Sequence, residues 1–85
     1  MPKVCEFYGV VVHMFYNEHG PPHFHAEYGG ARASIDFDGV LLRGELPPRA
    51  LRLVREWTRL RGAELSKNWS LARAALPLVP IPPLE

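Results

Sequence analysis

The feature that most constrains the fold is a pair of glycines, Gly29 and Gly30, between two segments of alternating polarity. The segments are HFHAEY, residues 23–28, and ARASIDF, residues 31–37. Alternation with a period of two is typical of half-buried strands, and paired glycines favour the positive φ angles of a two-residue hairpin turn. The sequence therefore predicts an antiparallel hairpin whose register is set by the turn.

The predicted register decides which side chains share a face of the sheet. Tyr28 faces Ala31 across the turn, and the pairing continues along the strands until His23 faces Asp36. Because side chains alternate between faces, one face is apolar and is expected to pack on helices; it carries Phe24, Ala26, Tyr28, Ala33, Ile35 and Phe37. The opposite face, here called the polar face, carries His23, His25, Glu27, Arg32, Ser34 and Asp36.

One further strand is predicted on each side of this hairpin. Residues 9–16, GVVVHMFY, are rich in β-branched and aromatic types, and we expect His13 to point outward. The expected core set of this strand is Val10, Val12, Met14 and Tyr16. The dipeptide Asp38-Gly39 indicates a second hairpin turn, so VLLRG, residues 40–44, is a short additional strand.

Helical spacing replaces strand alternation after a Pro-Pro pair at residues 47–48. Apolar residues then recur at helical intervals, and Gly62 is expected to end a first helix. A second helix is predicted over residues 63–76. The core residues expected from the two helices are Ala50, Leu53, Val54, Trp57, Leu60, Leu65, Trp69, Ala72 and Leu76.

These elements predict an α+β fold within a single domain spanning residues 1–85. An antiparallel three- to four-stranded β-meander over residues 9–45 is followed by two α-helices over 47–76, packed on one sheet face. The Pro-rich residues 77–85 are expected to be extended. Their apolar side chains are expected to pack on the chain's own surface or on a partner, and a homodimer is one way to cover them.

Composition indicates the cellular compartment and restricts the classes of partner. The formal net charge is +1, so no overall field draws the chain to nucleic acid or membrane. Cys5 is the single cysteine, which excludes an intramolecular disulfide and suits a reducing cytoplasm. No run approaches the roughly 20 apolar residues of a membrane span. We therefore expect a cytoplasmic protein without a membrane partner.

A histidine cluster in NEHGPPHFHAEYG, residues 17–29, is the candidate site. His23 and His25 lie about 6.6 Å apart on one strand face, which lets two imidazoles reach one ion. His19 adds a third nitrogen from the loop, and an oxygen can come from Glu18, Glu27 or Asp36. Three protein ligands suit catalytic zinc, and two histidines with a carboxylate suit iron. The predicted metal ligands are His19, His23 and His25, for a divalent transition metal.

Metal-free acid–base chemistry is the competing interpretation of the same residues. His23 is then the base, Asp36 orients it, and Arg32 stabilises developing negative charge during hydrolysis of RNA or another phosphoester. The predicted catalytic set is His23, His25, Asp36 and Arg32. A third interpretation assigns the histidines only structural roles, as strand and loop residues that pair with neighbours.

A family resemblance follows from longer strings. The segments EHGPPHFHAEY, GELPPRAL and NW, within a match over nearly the whole chain, resemble the domain of unknown function 4160 family. The resemblance implies a small cytoplasmic prokaryotic protein, encoded beside a member of the domain of unknown function 2442 family in a toxin–antitoxin-like pair. His19, His23 and His25 match positions of the family's motif, but the resemblance supplies no reaction.

The function expected from sequence is therefore one component of a toxin–antitoxin-like pair, with the polar face as its working surface. The partner is expected to be the product of a neighbouring gene. The alternatives are a metal-binding or metal-free phosphoester hydrolase acting on RNA, and a module that only binds protein.

Overall fold

A computed structural model describes residues 2–85 and shows an α+β fold, as predicted. Within these residues the strands are β1 (Lys3–Phe7), β2 (Val10–His13), β3 (His23–Tyr28), β4 (Ala31–Asp36) and β5 (Leu41–Gly44). The helices are α1 (Pro48–Leu60) and α2 (Gly62–Arg73). The strands form one antiparallel sheet in the order β1-β2-β3-β4-β5. The meander therefore has five strands, slightly more than the three to four predicted.

The central hairpin has the predicted register. Pairs run from Tyr28 opposite Ala31 to His23 opposite Asp36. Gly29 and Gly30 take φ angles of 54° and 87°, which are the left-handed values that a two-residue turn of this kind requires. Local turn chemistry is thus sufficient to decide which side chains of β3 and β4 share a face.

Strand β1 was not predicted, because its turn lacks the usual sequence signal. Phe7 pairs with Val10, so Tyr8 and Gly9 form a two-residue turn with φ angles of 48° and 84°. Asn, Asp or Gly is the residue type usually found at the first of these positions. A tyrosine in the left-handed region is uncommon. The residues at this turn therefore do not indicate a hairpin.

The core lies between the apolar face of the sheet and α1. Trp57 is fully buried, with its ring centroid 5.5 Å from that of Phe7 and 5.6 Å from that of Phe24. Three predicted core residues lie elsewhere. Leu60 is 53% exposed on the last turn of α1, Leu76 is 49% exposed after α2, and Tyr16 is 36% exposed. The Tyr16 hydroxyl donates to the Leu76 carbonyl, because the chain has already left the sheet after His13.

Both helix ends differ from prediction for local reasons. Helix α1 begins at Pro48 as expected but ends at Leu60, and Gly62 opens α2 instead of closing α1. Helix α2 ends at Arg73 rather than at residue 76. Ala75 takes a φ of 57°, and the Leu76 N–H donates to the Leu71 carbonyl, which is a left-handed helix ending.

The Pro-rich tail packs on the chain's own surface. The buried Asn68 side chain donates to the Val79 carbonyl at 2.7 Å and accepts from the Val79 N–H at 2.8 Å. Trp57 Nε1 donates to the Pro82 carbonyl, and the Ile81 N–H donates to the Val4 carbonyl. These bonds satisfy backbone groups that an extended segment cannot pair internally. Neither helix in residues 2–85 is both long and apolar enough to cross a membrane.

Gly44 is the last residue of β5 and pairs with Ala33 of β4, next to the pair formed by Arg43 and Ser34. Gly44 has a φ of 75°, and a Cβ there would overlap the Arg32 carbonyl oxygen and lie 3.1 Å from the Ala33 Cα. These contacts are with backbone, which does not move aside as a flexible side chain does. Strand β5 therefore needs glycine at this position.

We expect Gly44→Ala to lower the free energy of unfolding by at least about 2 kcal/mol, through backbone strain and overlap. Gly62→Ala is the matched control, because its φ is ordinary and a Cβ there meets no atom within 4 Å. Its effect should stay within about 1 kcal/mol. Urea denaturation followed by circular dichroism measures both, and equal stability of the two variants would contradict the assigned role of Gly44.

Candidate functional site

A row of functional side chains crosses the polar face of the sheet. Cross-strand pairing places His13 opposite His25, His25 opposite Ser34, and Ser34 opposite Arg43. Directly opposed residues in antiparallel strands point to the same face, and neighbouring strands lie about 4.8 Å apart. His13 thus points outward as predicted. The row joins β2, β3, β4 and β5 on the side away from α1.

The loop between β2 and β3 brings a carboxylate to this row. Glu18 Oε1 lies 2.6 Å from His25 Nε2, and Glu18 Oε2 lies 3.4 Å from His23 Nε2. Two prolines follow at 21–22, and they restrict the backbone immediately before β3. One carboxylate therefore meets the ε nitrogens of both strand histidines.

The tautomer of His23 follows from its second ring nitrogen. His23 Nδ1 lies 2.8 Å from the Pro21 carbonyl oxygen. A carbonyl can only accept, so Nδ1 carries the hydrogen and donates it. In the neutral ring Nε2 then presents a lone pair toward Glu18. An imidazole held by a backbone carbonyl in this way has the arrangement that is typical of metal-ligating histidines.

His25 is held by the hydroxyl of Ser34, with 3.3 Å between Ser34 Oγ and His25 Nδ1. The opposite nitrogen, Nε2, makes the 2.6 Å contact with Glu18. Two lone pairs at this distance repel, so a proton lies between them, and the contact is that of a carboxylate–imidazole hydrogen bond. Two ligands of one tetrahedral zinc ion stand about 3.3 Å apart, so metal binding would replace this proton and separate the two side chains slightly.

His23 is enclosed although it lies on the polar face of the sheet. It is only 8% exposed, because the ring of Trp69 from α2 lies 5.5 Å away and the ring of His25 lies 5.2 Å away, centroid to centroid. Helix α2 therefore covers the His23 end of the polar face. Partial exclusion of water strengthens the electrostatic interactions of Glu18 with both rings.

Within residues 2–85, the group of side chains suited to hold a metal is Glu18, His23 and His25. Their ligand atoms all lie within 4.8 Å of one another. The predicted ligand His19 is exposed and lies outside this group, although it lines the same concavity. The carboxylate oxygen that joins the two strand histidines thus comes from Glu18, one of the three acidic residues considered from sequence.

Asp36 has other contacts than those predicted, whereas Arg32 has the cross-strand contact that the register predicted. Asp36 Oδ1 accepts hydrogen bonds from the backbone N–H groups of Asp38 and Val40, at 2.9 and 2.8 Å. Asp36 thus stabilises the turn after β4, and the carboxylate facing His23 is that of Glu18. Arg32 Nε pairs with Glu27 Oε1 at 3.2 Å as the register predicted, with 80% of the Arg32 side chain exposed.

Two adjoining concavities share His25, Ser34 and Arg43. The metal-side concavity, of about 330 Å³, is lined further by Glu18, His19, Pro21, His23 and Leu42. The aromatic concavity, of about 430 Å³, is lined further by His13, Phe15, Ala26, Glu27, Arg32, Ala33 and Gly44. Sequence reasoning did not single out Arg43, since its place opposite Ser34 depends on an irregularity between Ser34 and Ile35.

Cys5 does not belong to this site. The side chain is buried in the core, and burial raises the pKa of the Cys5 thiol above its usual value. The protonated thiol is a poor nucleophile and a poor metal ligand.

Comparison with known proteins adds a family. Residues 9–70 match the family described as "Domain of unknown function (DUF4160)". No curated protein and no solved structure shows a significant match to the chain. The matched span includes the loop with Glu18, strands β2 to β5, helix α1 and most of α2. The chain therefore belongs to the domain of unknown function 4160 family, as its sequence motifs predicted.

Proposed function

We propose that the protein binds a divalent transition metal through Glu18, His23 and His25, and uses it to hydrolyse phosphoesters. The observation that carries this proposal is the convergence of one carboxylate oxygen and one ring nitrogen from each of the two histidines, all within 4.8 Å of one another. Two histidines with one carboxylate form a ligand set of catalytic zinc and of non-haem iron sites. Three protein ligands leave part of the coordination sphere for substrate.

The surroundings of the ligands support a metal more than an isolated acid–base pair. The Pro21 carbonyl sets the His23 tautomer with its lone pair toward Glu18, and the Ser34 hydroxyl holds the far side of His25. Both contacts orient ligands without consuming the atoms that would bind the ion. In the metal-free mechanism the His23 Nε2 lone pair would take the proton, but the carboxylate beside this ring is that of Glu18 and not that of the predicted Asp36.

Arg43 supports phosphoester hydrolysis as the reaction class. It lines the same concavity as the three ligands and makes no ion pair within residues 2–85. A guanidinium in this position can hold a phosphate through two hydrogen bonds and stabilise charge that develops on it. The bound metal would polarise a phosphoryl oxygen. It would also lower the pKa of a water molecule, so that hydroxide is available to attack the phosphorus.

The proposed reaction adds water across one phosphoester bond. The oxygen of the water forms a new bond to phosphorus, the bond from phosphorus to the leaving oxygen breaks, and the leaving oxygen takes a proton. Arg43 binds the phosphate oxygens, while Ser34 and the Pro21 carbonyl keep the imidazoles in place. The chain's own contribution is thus orientation and charge.

Metal binding can be followed through Trp69, whose ring lies 5.5 Å from that of His23. We expect Cu²⁺ or Co²⁺ to quench Trp69 fluorescence with one ion per chain, in protein purified without a histidine tag. Trp69→Phe should remove most of the quenching. Glu18→Gln and His25→Gln should weaken binding by at least about 100-fold, since each removes a ligand.

The matched controls are Glu27→Gln, an acidic residue of the same face outside the ligand group, and His19→Gln. Both should retain affinity within about threefold. Equal loss in His19→Gln and Glu18→Gln would favour the ligand set predicted from sequence over the one proposed here. Absence of stoichiometric binding by calorimetry and elemental analysis would refute the metal site.

Hydrolysis can be measured with the chromogenic diester bis(4-nitrophenyl) phosphate. We expect activity in metal-loaded protein, loss on chelation and recovery when the metal is restored. Arg43→Gln should lower kcat about 10- to 100-fold with unchanged metal affinity, because it removes a donor to developing charge. Full activity in chelated protein would instead favour the metal-free mechanism.

The family resemblance also supports a protein partner. We propose that the chain acts as one component of a toxin–antitoxin-like pair with the product of a neighbouring gene, as the resemblance implies. Co-expression should yield a complex that elutes as one peak in size-exclusion chromatography. Elution of this 9.6-kDa chain alone, as monomer or homodimer, would contradict the pairing.

A further inference from the structure

We infer that the aromatic concavity binds a nucleobase, which makes single-stranded nucleic acid the substrate class of the proposed site. The inference rests on the proposed metal-dependent hydrolysis and deepens it. A phosphate at Arg43 faces the metal-side concavity on one side and the aromatic concavity on the other, because Arg43 lines both. A ligand that joins a planar ring to a phosphate would span the two.

The aromatic concavity has walls suited to a planar ring. The rings of His13 and Phe15 are nearly parallel, with an angle of 14° and centroids 6.2 Å apart. The His25 ring meets Phe15 edge to face, with centroids 4.6 Å apart. Aromatic planes of this kind stack nucleobases with little dependence on sequence, since each base has a π face.

The floor of the concavity beneath these rings is formed by the strands themselves. Ala26, Ala33 and Gly44 contribute to this floor, while the side chains of Ala26 and Ala33 are buried in the core on the opposite face of the sheet. The resulting volume of about 430 Å³ lies within the range of about 300–1,000 Å³ that small-molecule sites show. A single base fits such a space.

Positive charge lies on the β4–β5 side of the concavity. Arg32 pairs with Glu27 at 3.2 Å, whereas Arg43 makes no ion pair within residues 2–85. Arg43 on β5 lies two strands away from His25 on β3, which is about 9.6 Å between the backbones. A phosphate on Arg43 is thus within reach of the proposed metal while its base remains on Phe15.

This geometry favours a single strand over a duplex. A base can enter the concavity only when it is unpaired and unstacked, and the bases of a duplex are neither. The chain's net charge of +1 gives little general attraction to a double helix. Recognition would therefore depend on the local combination of ring, arginine and metal.

The test compares adenosine 5′-monophosphate with ribose 5-phosphate by calorimetry on zinc-loaded protein. Both carry the phosphate and only one carries a base. We expect the nucleotide to bind about tenfold more tightly. Phe15→Leu should abolish this preference and Phe15→Tyr should retain it, since tyrosine keeps the aromatic plane.

Arg43→Gln should lower the affinity for the nucleotide and for ribose 5-phosphate by a similar factor. Arg52→Gln is the matched charge control, because Arg52 is exposed on α1, across the sheet from the site, and it should change neither affinity. A five-nucleotide RNA should bind at least tenfold more tightly as a single strand than within a duplex. Melting temperatures of all variants report whether they fold.

The outcomes separate this inference from the proposed metal site. Normal zinc binding with equal affinity for nucleotide and ribose 5-phosphate would overturn the base-binding inference and leave the metal proposal intact. An unchanged preference in Phe15→Leu, or equal binding of duplex and single strand, would also overturn it. If the wild-type protein does not bind zinc, both proposals are overturned.

Discussion

A single carboxylate, that of Glu18, meets the ε nitrogens of two imidazoles, and the proposed chemistry of this protein depends on that contact. His23 and His25 project from one strand, so their separation is set by the rise of a β-strand. The carboxylate arrives from a loop, and its position depends on where that loop returns to the sheet. Because a strand supplies two of the proposed ligands and a loop only one, the sheet sets most of the geometry of the proposed site.

The remaining contacts of the site hold these groups in fixed orientations. The Pro21 carbonyl fixes the tautomer of His23, and Trp69 covers the ring from α2. The same helix carries Asn68, which binds the backbone of the tail at Val79. Helix α2 thus links the C-terminal segment, the His23 end of the sheet and the core.

The sequence was sufficient for the features that depend on local chemistry. Gly29 and Gly30 dictate the β3–β4 register, and the alternation that follows places the histidines on one face. The sequence was insufficient for contacts that depend on the direction of a side chain or on an irregular backbone. Asp36 lies opposite His23 as predicted, yet its carboxylate accepts from the backbone of the next turn. Strand β1 and the position of Arg43 depend on a left-handed tyrosine and a bulge, which residue patterns do not specify.

The most direct measurement is crystallographic. Crystals of the protein grown with zinc, with data collected on both sides of the zinc absorption edge, locate the ion without assumptions about its ligands. We expect an anomalous peak about 2.0–2.2 Å from the ε nitrogens of His23 and His25 and from a Glu18 oxygen. A peak bound elsewhere, or none beside these residues at a zinc concentration that saturates the protein in solution, would contradict it.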